Sequence, residues 1–152
     1  MREDARSLAQ RATAAVGTTF LVAGCLGFLP GATVEVERLH LTGPGSPSAL
    51  LGLVPVTVAG NLLHLVFAVA DHCCVASESR ARRYLVWGGA AYAVLCARSL
   101  VIGTGGVGGT VGAGGGLWLA LAGGAVMTAV GVVAGWGGVA GIAAAAGIRH
   151  PG

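Results

Sequence analysis

The chain has 152 residues, of which 55% are hydrophobic and 10% are charged, and its formal net charge is +3. A soluble domain carries about 25% charged residues, so this composition is too apolar to cover the surface of a domain in water. The nine basic residues are all arginines and form no stripe interleaved with aromatic residues, which argues against nucleic acid as a partner. The apolar residues are concentrated in long runs. The composition therefore predicts a single all-α membrane domain over residues 1–152.

Four apolar runs, taken in chain order, predict four transmembrane helices. They cover about residues 12–29, 49–70, 85–103 and 117–137. Each run reaches or approaches the roughly 20 residues with which a helix crosses the hydrocarbon core of a bilayer. Pro30 follows the first run, and Pro55 is expected to kink the second helix. The predicted fold is a transmembrane four-helix bundle.

The arginines predict how this bundle is oriented. Three lie before the first run and three lie between the second and third runs (Arg2, Arg6, Arg11, Arg80, Arg82, Arg83). The loop after the first run contains only Arg38, and the glycine-rich loop after the third run contains no charge. By the positive-inside rule, both termini and the middle loop are expected in the cytoplasm, with the protein in a bacterial plasma membrane.

The glycine-rich loop contains the pattern GxGxxG at Gly103, Gly105 and Gly108. A dinucleotide-binding turn follows a strand and is followed, about 20 residues later, by an acidic residue that binds the ribose. Here a predicted membrane helix precedes the pattern, and the sequence has no Asp or Glu after Glu78. The sequence therefore predicts no nucleotide as a partner.

The candidate intramembrane polar site consists of Asn61 and His64. The two residues are three positions apart in the second predicted span, so they share one face of a helix. One interpretation is a hydrogen bond between helices that fixes the packing. The alternatives are a ligand or proton site of a small transporter, and a haem- or quinone-linked redox site at His64.

Arg98, near the outer end of the third predicted span, is expected to extend to the membrane surface, towards Glu35 or Glu37. Two GxxxG pairs occur in the last quarter of the chain, Gly131–Gly135 and Gly137–Gly141. Such pairs allow close approach of helix backbones in lipid. They predict either tight packing within the chain or the contact face of a homo-oligomer.

Four possible metal ligands are consecutive in the sequence, from Asp71 to Cys74. Consecutive residues of a helix point about 100° apart, and zinc sites normally space their cysteines as C-x2-C. The sequence therefore predicts a reduced cluster at the membrane boundary. It also contains no Ser-His-Asp set and no paired deep carboxylates, so neither a metal, another cofactor nor catalysis is expected.

Several segments within residues 16–102 together resemble a known family. They are FLVAGCLGFLPGAT, LTGPGSPSALLGL, NLLHLVFAVA and ARRYLVWGGAAYAVL. The chain resembles small four-span membrane proteins of actinobacteria that are grouped as a domain of unknown function. Family members tend to carry an Asp-Asn-Trp-x-His stretch before the fourth span, where this chain has Gly116-Leu117-Trp118-Leu119-Ala120. The resemblance implies a four-span fold and supplies no activity.

These observations favour a multi-pass membrane protein with a structural or assembly role and without catalysis. The lipid bilayer is its expected environment. A second copy of the chain or another membrane protein is its expected partner.

Overall fold

The computed structural model describes residues 6–42, 46–102 and 115–145, which form four helices and a small sheet. The helices are α1 (Leu8–Leu26), α2 (Val58–Cys74), α3 (Glu78–Ile102) and α4 (Gly115–Ala145). The prediction of a mostly helical chain with four helices is therefore confirmed. The GxGxxG glycines, Gly103, Gly105 and Gly108, lie outside the described residues.

Helix α1 begins at Leu8, four residues before the predicted span. The reason is a capping box, in which the Ser7 hydroxyl accepts from the Gln10 amide N–H and the Gln10 side chain accepts from the Ser7 N–H. The Gln10 side chain also donates to the Val75 carbonyl at 3.0 Å. One turn later, the Thr13 hydroxyl donates to the Ala81 carbonyl at 3.3 Å. The start of α1 is thus attached to both sides of the turn between α2 and α3.

The segment between α1 and α2 forms a three-stranded antiparallel sheet in the order β1 (Thr33–Val34), β2 (Ala49–Leu50) and β3 (Val54–Pro55). Leu50 pairs with Thr33 on one side and with Val54 on the other. The turn between β2 and β3 places Leu51 and Gly52 at positive φ, 52° and 70°. This conformation reverses the chain within three residues and costs a non-glycine residue such as Leu51 about 1 kcal/mol or more.

The structure corrects the predicted start of the second helix. The span was predicted from about residue 49, but residues 49–55 belong to β2, β3 and their turn, and α2 begins at Val58. Thr57 caps the helix, because its hydroxyl accepts from the Gly60 N–H at 3.2 Å. Pro55 therefore ends a strand and does not kink a helix. Hydropathy alone cannot separate a short apolar strand from the start of a helix.

Helix α1 packs mainly on α2, and α3 packs mainly on α4. Helices α3 and α4 lie close together because each presents glycines to the other. A Cβ placed at Gly124 would lie 2.9 Å from the Gly89 carbonyl oxygen and 3.0 Å from the Ala93 Cβ. Small residues at this contact let the two backbones approach each other.

The buried core joins these two helix pairs. Its members include Leu85 on α3, Ala9 on α1 and Met127 on α4, all at most 4% exposed. Within the described ranges, none of the helices combines enough length with enough apolar sequence to cross a membrane.

Candidate functional site

A row of polar side chains lies on the face of α2 that packs against α1. Asn61, His64 and Asp71 are three and seven residues apart, a spacing that keeps them on one helix face. Asn61 and Asp71 are buried, and His64 is half-buried. We call these three residues the polar seam. Polar groups of this size are rarely buried unless a hydrogen bond or a function retains them.

Asn61, which is 1% exposed, lies at the N-terminal end of the seam, opposite Gly27. A Cβ at Gly27 would overlap the Asn61 amide, so the amide lies directly against the end of α1. Among the described residues, nothing accepts a hydrogen bond from the Asn61 Nδ2. An unsatisfied buried donor of this kind costs about 1–3 kcal/mol.

His64 belongs to an aromatic cluster that joins three helices. Its ring stacks on Phe20 of α1 with centroids 5.5 Å apart, and its Nε2 lies 3.3 Å from the Tyr92 hydroxyl on α3. Phe20 and Phe67 both contact Tyr92, at centroid distances of 5.1 and 5.5 Å. His64 Nδ1 is buried and lacks a hydrogen-bond partner in the part of the chain that the structure describes. The ring is therefore held by packing and by one polar contact.

Asp71, at the C-terminal end of the seam, lies one residue beyond the second predicted span. Its carboxylate rests against Gly17, where a Cβ would overlap it, and the side chain is 5% exposed. Burial raises the pKa of Asp71 to about 6, against opposing effects of His72 and the Gly17 backbone N–H. Across the described ranges, the Asp71 Oδ1 has no hydrogen-bond partner. The seam thus ends in a buried carboxylate that binds a proton at a higher pH than an exposed aspartate does.

Residues 10–133 match the family model described as a domain of unknown function, DUF4383. The chain belongs to this family. The matched region runs from the first turn of α1 into α4 and includes the whole polar seam. No curated protein and no solved structure matches the chain.

The structure places the predicted site residues of this DUF4383 domain in separate regions. Asn61 and His64 share a face of α2, whereas Arg98 is exposed near the end of α3. Glu35, one expected partner of Arg98, instead accepts from the Arg38 guanidinium at 2.8 Å. Within the described chain, Arg98 forms no ion pair with Glu35 or Glu37.

The predicted packing glycines of the DUF4383 domain lie in α4. A Cβ at Gly131 would lie 2.7 Å from Val86 Cγ2, and one at Gly135 would lie 2.8 Å from Arg82 Cζ. Both glycines therefore face α3 of the same chain. The surroundings of the second pair, Gly137 and Gly141, lie outside the described residues.

The α1 side of the seam in this DUF4383 domain is not part of the site predicted from the sequence. Gly17 and Gly24 on α1 and Gly27, which caps its C-terminal end, recur at intervals of seven and three. A Cβ at Gly24 would lie 2.8 Å from Leu65 Cδ2, so all three glycines face α2. This spacing of seven and three residues follows a heptad and differs from the four-residue spacing of a GxxxG pair. Asp71 was interpreted only as part of the run Asp71 to Cys74. No three metal-ligating side chains converge among the described residues.

The carboxylate of Asp71 makes the stability of the DUF4383 domain dependent on pH. The folded-state pKa, about 6, lies above the ordinary value of 3.8, so the folded chain binds the proton more tightly than the unfolded chain. The extra stability is complete below about pH 4 and is lost as the pH rises through about 6. We expect Asp71→Asn to remove a pH-dependent contribution on the order of 2 kcal/mol.

Unfolding free energies of both proteins at intervals from pH 4 to pH 8 measure this contribution. The difference between Asp71→Asn and the parent should grow in favour of the variant up to about pH 6 and stay constant above about pH 7. Equal pH profiles for the two proteins would contradict the assignment. Glu78→Gln, which removes an exposed carboxylate from the first turn of α3, serves as the control.

Proposed function

We propose that the protein is a multi-pass membrane protein with a structural or assembly role, and that the polar seam fixes α1 against α2. One observation carries the proposal. Many large apolar side chains are exposed on all four helices, while several of the best-buried positions hold small or polar residues. Large exposed apolar surfaces mark contact with lipid or with another protein.

Each helix contributes a stripe to this exposed apolar surface. On α2, Leu62, Val66 and Val69 recur every three or four residues and are 50–64% exposed. The other three helices expose Leu21, Val22, Trp87, Val94, Val126 and Val133. All four helices contribute to this surface, which suits a surrounding lipid solvent better than one localised partner. The proposal rests on this distribution over the whole bundle and on the apolar composition rather than on the length of any single helix.

The buried positions support the same proposal. Thr13, Thr57 and Asn61 are at most 1% exposed, and Gly124 and Gly131 lie at the α3–α4 contact. In lipid, helices gain little from burying large apolar side chains against each other, so small residues and hydrogen bonds take over the contacts. Arginine placement then favours an orientation with both termini in the cytoplasm.

Fractionation and cysteine labelling test this proposal. The protein, expressed in a bacterial host, should stay in the membrane fraction after alkaline carbonate extraction. In a variant without the four native cysteines, a membrane-impermeant maleimide applied to spheroplasts should label Thr42→Cys in the first loop. It should label Ser79→Cys, at the start of α3, only after permeabilisation. Recovery of the protein in the soluble fraction would overturn the proposal, and the opposite labelling pattern would reverse the orientation.

The structural role of the seam predicts a coupling between His64 and Tyr92. We expect His64→Ala to lower the free energy of unfolding by about 1–2 kcal/mol and Tyr92→Phe by about 1 kcal/mol. The double variant should lose about 1 kcal/mol less than the sum, because the two residues share the 3.3 Å contact. Equilibrium unfolding of the four proteins measures the coupling, and strictly additive losses would contradict it.

A second candidate function, ligand binding or transport through the same pair, is favoured by two unpartnered nitrogens. Asn61 Nδ2 and His64 Nδ1 are both buried without a partner among the described residues, and a bound molecule could satisfy them. Native mass spectrometry of the protein in mild detergent distinguishes the two functions. A small molecule that is bound to the parent and lost in a stably folded His64→Ala variant would favour ligand binding over a packing role.

A further inference from the structure

A cavity of about 350 Å³ lies beside Asp71 and away from the Asn61–His64 pair. Its walls come from two helices, with Gly17, Thr18 and Leu21 on α1 and Val69, Asp71 and His72 on α2. The cavity opens on the outer surface of the bundle, where Leu21 and Val69 are exposed. Its volume falls at the lower end of the range for small-molecule sites.

Two polar residues of this cavity, Asp71 and Thr18, offer hydrogen-bond acceptors. Asp71 is 5% exposed, and its Oδ1 has no partner among the described residues. The Thr18 hydroxyl donates its proton to the Ala14 carbonyl at 2.8 Å, so its oxygen keeps only acceptor capacity. A carboxylate and a hydroxyl oxygen of this kind favour a ligand with several N–H donors and a positive charge.

Apart from His72 and Cys73, the remaining walls are apolar. Leu21, Ala68 and Val69 present aliphatic side chains, and Gly17 leaves room beside the carboxylate. An inorganic cation would leave these walls without a partner, whereas an organic ammonium would place its carbon body against them. We infer that this cavity binds a primary ammonium group carried on a compact apolar body, with Asp71 as the counter-ion. The ammonium belongs either to a free amine or to an ethanolamine phospholipid headgroup, in which the two methylene groups beside the nitrogen would be the part that meets the apolar walls.

The other titratable groups around Asp71 are few. On α2 itself they are His72 and Cys73, which also line the cavity, and Cys74. From α3 the Tyr84 hydroxyl approaches and donates to the Phe67 carbonyl at 2.9 Å. Burial, with the nearby Asp71 charge, raises the pKa of Tyr84, so this hydroxyl stays protonated at neutral pH. Helix α1 contributes the Gly17 backbone and the neutral Thr18. Asp71 is therefore the group whose charge attracts a cation into the cavity.

Calorimetric titration with adamantan-1-ylammonium tests the site, and adamantan-1-ol supplies the same apolar body without a charge. The ammonium should bind the parent protein at pH 8 at least about tenfold more tightly than the alcohol. Asp71→Asn should remove this preference, while Glu78→Gln should leave it unchanged. At pH 5 only about a tenth of the Asp71 side chains are ionised, so affinity for the ammonium should fall about tenfold. The pH 5 titration is repeated in His72→Gln, because the His72 side chain lines the same cavity.

The source of the ammonium is determined in a second arm. Native mass spectrometry is performed on protein released from nanodiscs of phosphatidylethanolamine or of phosphatidylglycerol. Retention of phosphatidylethanolamine by the parent, and its loss in Asp71→Asn, would assign the site to the headgroup. Binding of the free amine alone would assign it to a soluble amine. Equal binding of amine and alcohol, together with no Asp71-dependent lipid, would overturn the inference.

This test is independent of the proposed packing role. The seam could stabilise the bundle whether or not the cavity binds an amine, and Asp71→Asn removes a charge without removing volume. Circular dichroism checks that the Asp71→Asn variant is folded. Thr18→Val, on the opposite wall of the cavity, serves as a second variant. Thr18→Val should weaken ammonium binding and leave binding of the alcohol unchanged.

Discussion

Gly131→Val is expected to lower the free energy of unfolding by about 3 kcal/mol. A Cβ at this position would lie 2.7 Å from Val86 Cγ2 and 2.9 Å from the Val86 backbone nitrogen. The first contact can be relieved by a rotamer change, but the second involves the backbone of α3 and requires the helices to separate. Valine adds two methyl groups beyond that Cβ. Chemical unfolding followed by circular dichroism measures the loss.

The matched control for this substitution is Gly123→Val on the same helix. A Cβ at Gly123 meets nothing within 4 Å, so the same side chain enters open space. Its effect should stay within about 0.5 kcal/mol of zero or be slightly stabilising, because glycine is a poor helix former. A Gly131→Val variant as stable as the Gly123→Val variant would show that α3 and α4 do not pack as described.

Leu85→Ala should cost a similar amount, about 3 kcal/mol, for the opposite reason. Leu85 is fully buried on α3 and belongs to the core that joins the two helix pairs. Truncating it opens a cavity, because the surrounding backbone relaxes only partially. The thermal unfolding midpoint and the free energy of unfolding should both fall.

Val94→Ala provides the comparison for this truncation. Val94 lies on the same helix and is 67% exposed, so its removal should change the free energy of unfolding by no more than about 0.5 kcal/mol. The contrast distinguishes a buried face of α3 from one that contacts the surroundings. A large loss in Val94→Ala would assign its face to a protein contact instead.

The periodicity and apolar character of the chain are sufficient to predict four helices, because long apolar runs form few other secondary structures. The same criterion failed at residues 49–55. There the turn at Leu51 and Gly52 reverses the chain, and the Thr57 cap delays the start of α2. Local signals for both features were present, but the continuous hydrophobicity of the segment concealed them.

The candidate site was predictable only on one side. The three-residue spacing of Asn61 and His64 predicts a common face, since it depends on helix geometry alone. Their partners, Gly27 on α1 and Tyr92 on α3, depend on which helices become neighbours and at what register. Neither is encoded in the local sequence. For the same reason the sequence does not determine whether Gly131 packs within the chain or against a second copy. In the structure Gly131 contacts α3 of the same chain.

The hydrogen bonds from the start of α1 to the α2–α3 turn have a consequence for the order of assembly. Gln10 and Thr13 donate to carbonyls 65 and 68 residues later in the chain. A ribosome completes α1 long before it adds Val75 and Ala81. Helix α1 is synthesised before α2 and α3, so its side-chain hydrogen bonds are complete only after Ala81 has been added. Until then, two of its polar side chains must find other partners.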